Sequence, residues 1–273
     1  MTKIFVYTGT GNSYASAKQM ASEIENAEVI FITDELGESR THIECETCII
    51  IFPVYGYGMP KTVRRFIKQS TFKVDYFAVL GTVGSTQGGA LAEAIRLLRG
   101  KGQKVHYTNR IKCVENYVHM FKLPTEEKIE TLCQSQCELT SNIVQDIKAR
   151  VENKRILLRP ESSFVSGVFK VASPFFARRY RVDADCNGCG ICYRVCPALA
   201  IEMKELRTIE INQETNEEIE TIKKRPEFTA KKCDHCQACL QLCPKRAILF
   251  GKITKDGRRY CHKDANIKEL FKR

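Results

Sequence analysis

No tryptophan occurs anywhere in this chain of 273 residues. A flat surface for an aromatic ligand must therefore come from its 10 tyrosines and 14 phenylalanines. Long apolar runs are missing too, although 43% of the residues are apolar. A membrane-spanning helix needs roughly 18 or more in a row, so none is expected. Met1 to Tyr7 enters a strand-like pattern at once. It has none of the charged start, apolar stretch and small-residue cleavage site of a secretory leader. A cytoplasmic location is the expectation. The five histidines form no H-x3-H or H-E-x-x-H pattern, which removes the common zinc-hydrolase signatures.

What the chain has in plenty is cysteine, 14 in all. Eight of them repeat one pattern. Cys186, Cys189, Cys192 and Cys196 are followed by Pro197, and Cys233, Cys236, Cys239 and Cys243 by Pro244. Each run reads C-x2-C-x2-C-x3-C-P, the spacing that winds a backbone round a cube of iron and sulfide. Three thiolates of a run reach one cluster, and the fourth ligates its neighbour. The expected sets are Cys186, Cys189, Cys192 and Cys243 on one [4Fe–4S] cluster, and Cys233, Cys236, Cys239 and Cys196 on the other. A zinc site needs only four ligands, with its C-x-x-C pairs farther apart. A disulfide framework suits small secreted chains. Both fit less well than two clusters, which also need a reducing compartment.

The net charge is +11 and uneven. Residues 1–153 carry 18 Lys and Arg against 17 Asp and Glu, whereas residues 154–273 carry 25 against 15. Nucleic-acid binding is one reading of so basic a half. Two thiolate-held clusters return about −4 to it, and the remainder suits an acidic redox partner. That second reading is preferred.

The first half alternates strand-like and helix-like segments. Strands are expected at Ile4–Tyr7, Glu28–Ile32, Cys48–Phe52, Tyr76–Leu80 and Val105–Ile111. Helices are expected from about Ser13 to Ile24, at Lys61–Lys68 and at Gly89–Leu98. Continuous apolar runs suit strands buried on both faces. The pattern predicts an α/β fold, a doubly wound five-stranded parallel sheet. The first strand–helix turn reads Thr8-Gly9-Thr10-Gly11-Asn12-Ser13. It lacks the G-K-[ST] of a Walker loop, and Tyr14 stands where a dinucleotide fingerprint needs its third glycine. A hydroxyl-rich turn at a helix N-terminus suits a terminal phosphate monoester.

Three segments carry a resemblance to the flavodoxin family. They are Thr8–Ser13, then Pro53-Val54-Tyr55-Gly56-Tyr57-Gly58, then Gly81-Thr82-Val83-Gly84-Ser85-Thr86-Gln87-Gly88-Gly89. The resemblance implies an FMN site. Thr8, Gly9, Thr10, Gly11, Asn12 and Ser13 would hold the phosphate. Pro53, Val54, Tyr55, Gly56 and Tyr57 would supply one flavin face, with Tyr55 or Tyr57 as the cover. The loop with Thr82, Val83, Gly84, Ser85 and Gln87 would bond the pyrimidine edge through its backbone. That loop has no aromatic residue, so a second aromatic cover is not expected from these three loops. The whole chain resembles flavodoxin–ferredoxin fusion proteins of anaerobic bacteria and archaea. The likeness includes Asn116-Tyr117-Val118-His119-Met120-Phe121-Lys122-Leu123-Pro124 and Cys186-Asn187-Gly188-Cys189-Gly190-Ile191-Cys192. It implies electron-transfer chemistry and no particular substrate.

Three units are expected: a flavodoxin-like FMN-binding domain at 1–153, a connector at 154–181, and a small α+β ferredoxin domain of the 2[4Fe–4S] type at 182–273. Thr125–Asn153 reads as a long helix capped by Thr125. A short helix is expected at Ser162–Ala172. The connector's Phe164, Val165, Val168, Phe169, Phe175 and Phe176 suit docking of the two modules better than a membrane surface. Glu205–Phe228 is expected to form a hairpin over the clusters. Lys231, Lys232, Lys245 and Arg246 flank the second cluster and suit either partner steering or the offset of cluster charge. Cys45, Cys48, Cys113, Cys133, Cys137 and Cys261 are expected to be structural or incidental thiols. His235 is expected to be exposed or to bond a sulfur. No catalytic residue is evident. Three functions fit: an electron carrier between partner proteins, a ferredoxin-dependent FMN reductase of a small acceptor such as a quinone or nitro compound, and an iron–sulfur sensor without flavin. The carrier is preferred, because only Tyr55 and Tyr57 offer a proton near the flavin loops.

Overall fold

The computed structural model describes residues 1–36, 40–86, 88–153, 174–211, 218–251 and 257–271. The expected helix at Ser162–Ala172 and most of the connector lie outside the described residues. Five strands, β1 (Thr2–Val6), β2 (Ala27–Phe31), β3 (His42–Pro53), β4 (Thr71–Val83) and β5 (Tyr107–Lys112), form one parallel sheet in the order β2-β1-β3-β4-β5. This is the flavodoxin-like doubly wound order, with its topological switch between β1 and β3. Side chains alternate across the sheet. Phe5, Tyr7, Phe52 and Phe77 face α2 (Lys61–Gln69) and α3 (Ala90–Arg99). Ile4, Val6, Ile49 and Leu80 face α1 (Asn12–Glu23) and α4 (Glu126–Lys148). Burial on both sides explains why these strands read as apolar runs.

Strands β3 and β4 begin earlier than expected. His42 to Cys45 pairs with Thr71 to Val74 beyond the reach of β1. There the sheet is only half covered, and buried Ile43 stands between exposed His42 and Glu44. A reading that seeks continuous apolar runs passes over such a margin. The cap of α4 is as expected: the Thr125 hydroxyl accepts the Lys128 N–H at 3.3 Å, with Glu126 and Glu127 in the first turn.

In the second half, β6 (Tyr180–Val182) pairs antiparallel with β9 (Ile248–Phe250). A hairpin joins β7 (Ile201–Ile211) to β8 (Glu218–Phe228), as the alternation predicted. Each cysteine run wraps a four-residue helix, α5 (Ile191–Arg194) and α6 (Ala238–Gln241). Both helices start from a left-handed residue, Gly190 at φ 71° and Gln237 at φ 60°. The sequence repeat is thus a structural repeat. Among the described residues no helix is long and apolar enough to cross a membrane.

Candidate functional site

The two cysteine runs exchange their last members in space. Cys186, Cys189, Cys192 and Cys243 line one small cavity, roofed by Met203 and Pro226 of the hairpin. Burial, then the neighbouring Cys243, Cys186 and Cys189, push the Cys192 thiol up to about 12. In the other run, burial pushes the Cys233 thiol up to about 12 and those of Cys236 and Cys239 well above the usual range. Cys196 adds to all three shifts. Cys239 also feels Cys192, so the two sets adjoin. Backbone N–H groups point at sulfur in equivalent places: Ala200 to Cys196 at 3.2 Å, and Ala247 to Cys243 at 3.3 Å. Such bonds tune cluster potentials. Among the described residues no three His, Cys, Asp or Glu close up as one metal ion requires. A cube of iron and sulfide spreads its thiolates more widely. An all-thiol set of four therefore suits a cluster better than a lone ion.

A second cavity, of about 330 Å³, opens at the carboxyl ends of the sheet. The three expected loops build it: Thr8 to Ser13, Pro53 to Tyr57, and Thr82 to Thr86. Gln87 lies outside the described residues. The side chains of the first loop are engaged within the protein. Thr8 Oγ1 accepts the Gly11 N–H, Asn116 donates to Thr10, and Ser13 bonds Thr82 at 2.8 Å. Asn12 donates to the Val114 carbonyl and accepts from Tyr260 at 2.6 Å. What the loop keeps for an anion is the open first turn of α1. Two glycines are required by close approach. A Cβ on Gly9 would meet the Cys236 carbonyl at 2.8 Å and the Tyr55 hydroxyl at 2.9 Å. Gly11, at φ 99°, lies under Ala265 and His262 of the C-terminal tail.

Residues that sequence reasoning did not assign complete the cavity. The chain after β5 contributes Glu115, Asn116, Tyr117, Met120 and Phe121, and the second cysteine run contributes His235 and Cys236. Glu115 lies against Gly84 and accepts the Tyr117 N–H at 3.1 Å. Tyr117 and Phe121 supply the aromatic surface that the Thr82 loop lacks. The only sequence signal for them was the aromatic stretch from Asn116 to Pro124. His235 is buried, with its backbone N–H on Cys233 sulfur at 3.4 Å, and it also borders the cavity. Tyr55 points its hydroxyl between Gly9 and Cys236, whereas Tyr57 is 46% exposed at the rim.

Among the described residues the modules meet at the connector's Tyr180, whose hydroxyl lies 3.3 Å from His119 Nε2, and at places outside the connector. Thr33 donates to the Pro197 carbonyl, Gln241 to that of Asn116, and His262 N–H to that of Thr10. In the described part of the connector Phe175 is exposed. Of the remaining thiols, Cys45 and Cys48 on β3 are free and linked by a thiol hydrogen bond. That bond lowers the Cys45 thiol, while burial holds Cys48 well above its usual range.

Residues 185–247 match the 4Fe-4S dicluster domain family. An iron–sulfur protein of Rhodospirillum rubrum is 29% identical over 102 residues, 33% of this chain and 47% of that protein. The chain thus spans less than half of that relative. Among solved structures, a flavodoxin from the domain Archaea is 17% identical with a TM-score of 0.31, covering 52% of this chain and 96% of its own. The Megasphaera elsdenii flavodoxin is 14% identical with a TM-score of 0.31, covering 50% and 99%. The chain thus joins an α/β half with the flavodoxin-like sheet order to a segment that matches the 4Fe-4S dicluster domain family.

Proposed function

We propose that this protein is an electron-transfer flavoprotein. In it, two [4Fe–4S] clusters exchange electrons with an FMN seated in the 330 Å³ cavity. One observation carries the reading. Cys236 belongs to a four-thiol set and also forms part of the wall of the three-loop cavity. The cavity fits FMN in shape and chemistry. It has a helix N-terminus at one end, backbone loops at the other, and aromatic residues on two sides. FMN takes two electrons one at a time, so it joins one-electron carriers to two-electron chemistry. The chain's own residues supply the rest. Cys186, Cys189, Cys192 and Cys243 hold one cluster, and Cys233, Cys236, Cys239 and Cys196 the other. Tyr55, Tyr117 and Phe121 exclude water from the flavin. Exposed Lys231, Lys232, Lys245 and Arg246 meet an acidic redox protein.

A second reading is favoured by the cavity mouth, where Met120 is 75% and Phe121 50% exposed. Such an opening also admits a small planar acceptor, as a reductase needs. Anaerobic reconstitution tests the common core. The protein should take up about eight irons per chain and bind FMN more tightly than riboflavin. After rapid mixing with a limiting reductant, the flavin should be reduced following the clusters at a rate independent of protein concentration. A rate proportional to concentration would place the transfer between molecules and end the proposal. Turnover with quinones or nitro compounds would select the reductase.

A further inference from the structure

Helix α2 begins at Lys61 after Pro60, and no side chain near it in sequence caps it. Its cap comes from the other half of the molecule. Asp234 is 5% exposed, and its carboxylate accepts three hydrogen bonds from the flavodoxin-like half. Oδ1 takes the Lys61 N–H at 2.8 Å, while Oδ2 takes the Thr62 N–H at 3.1 Å and the Tyr7 hydroxyl at 2.8 Å. Tyr7 directly follows β1 and leads into the first loop. Asp234 itself stands between Cys233 and Cys236. An anion at a helix N-terminus is stabilised by the open N–H groups and the helix dipole. A buried carboxylate with three donors is also held in one orientation.

We propose that Asp234 is a positioning residue: it clamps the Cys233–Cys236 segment onto the start of α2 and the end of β1, and so fixes the gap that one electron crosses between the second cluster and the flavin. The proposal rests on the function proposed above. In the step considered, the reduced cluster loses one electron and the flavin gains it. Asp234 touches neither reacting group. It acts by holding Cys236 in the cavity wall, where the Cys236 carbonyl already lies against Gly9.

Asp234→Asn and Asp234→Ala separate position from charge. Both remove the carboxylate charge, so both should shift the potential of the second cluster equally. Asn keeps one oxygen that can still accept an N–H of α2, whereas its NH2 group cannot, so Asn retains part of the clamp and Ala none. The test uses the full holoprotein, with iron and flavin content measured first and dithionite as reductant. The Ala variant should pass electrons to the flavin about tenfold more slowly, since a small displacement of reacting groups is costly. The Asn variant should fall between the Ala variant and the wild type. Hydrogen exchange should be slow at both the Lys61 and Thr62 amides in the wild type, slow at one of them in the Asn variant, and fast at both in the Ala variant. Tyr7→Phe tests the same link from the opposite side, and should slow transfer with iron content unchanged. A loaded Ala variant with the wild-type rate overturns the proposal, as does equal slowing in Asn and Ala. If the wild type itself shows no internal transfer, the functional reading fails. Slow amide exchange in the Ala variant would then still overturn the clamp.

Discussion

At the scale of single residues, the junction of the two halves is built from polar atoms that only burial explains. His119 is the clearest case. Its ring stacks on Phe250 with centroids 3.7 Å apart, and its Nε2 lies 3.3 Å from the Tyr180 hydroxyl. Burial, with His235, Arg179 and Arg259 adding to it, pushes its pKa down to about 3 from the usual 6.5. The folded protein therefore holds His119 neutral, while the unfolded chain protonates it below its ordinary value. Between those two values the unfolded state binds more protons, so stability is lost as pH falls. The contribution is complete above the unfolded value and fades on acidification toward the folded one. Anaerobic urea unfolding at about pH 7.5 and about pH 5.5 should show a drop in the wild-type midpoint that His119→Phe makes smaller. An equal drop in both proteins would show that His119 is not the group responsible. Nothing in the spacing of the sequence marked His119 for this place. Its partners Tyr180 and Phe250 lie 61 and more residues away, and only the pairing of β6 with β9 unites them.

At the scale of elements, local pattern was a good guide to strands and helices and a poor one to what joins them. The apolar runs Ile49 to Phe52 and Tyr76 to Leu80 marked β3 and β4 because both sheet faces are covered there. The paired cysteine runs marked the structural repeat, because cluster spacing is a property of neighbouring residues, while the short helix each run encloses was not marked by any pattern. Docking depends on distant ones. The tail from Gly257 onward packs over the first flavin loop through Tyr260, His262 and Ala265, and no periodicity reveals a tail's destination. That contact makes Gly11 sensitive for two separable reasons. A Cβ there would stand 2.6 Å from that of Ala265, and φ 99° strains any other residue. Gly11→Ala should cost about 1–3 kcal/mol and weaken FMN binding, with iron content kept. Gly11→Ala combined with Ala265→Gly should recover the part due to the clash and leave the part due to strain. Calorimetry and fluorescence titration measure the two effects. No recovery at all in the double variant would assign the whole loss to the backbone.

At the scale of the molecule, charge and cofactor placement point to two different faces. The second half carries nearly all of the net positive charge, and the first four-thiol cavity sits within it with Cys189 exposed and Lys245 at its edge. Among the described residues no Lys or Arg lines the 330 Å³ cavity, and Met120, Phe121 and Tyr57 form its exposed rim. A protein partner drawn by charge would therefore meet the cluster side, and an uncharged acceptor the flavin side. Electrostatic attraction raises the encounter rate and fades with salt. Changing Lys231, Lys232, Lys245 and Arg246 to Glu moves the net charge of that half by eight, from strongly positive to near neutral. These four side chains are exposed, so iron and flavin content should not change. Reduction by an acidic ferredoxin or flavodoxin should slow by about tenfold or more at low ionic strength, and the difference should shrink as salt rises. Reduction by dithionite, a small reagent with no docking surface to recognise, serves as the control and should change far less. If the variant and wild type respond identically to the protein donor at every salt concentration, the basic half is not the docking face. The positive charge would then serve only to offset the thiolate-held clusters beneath it.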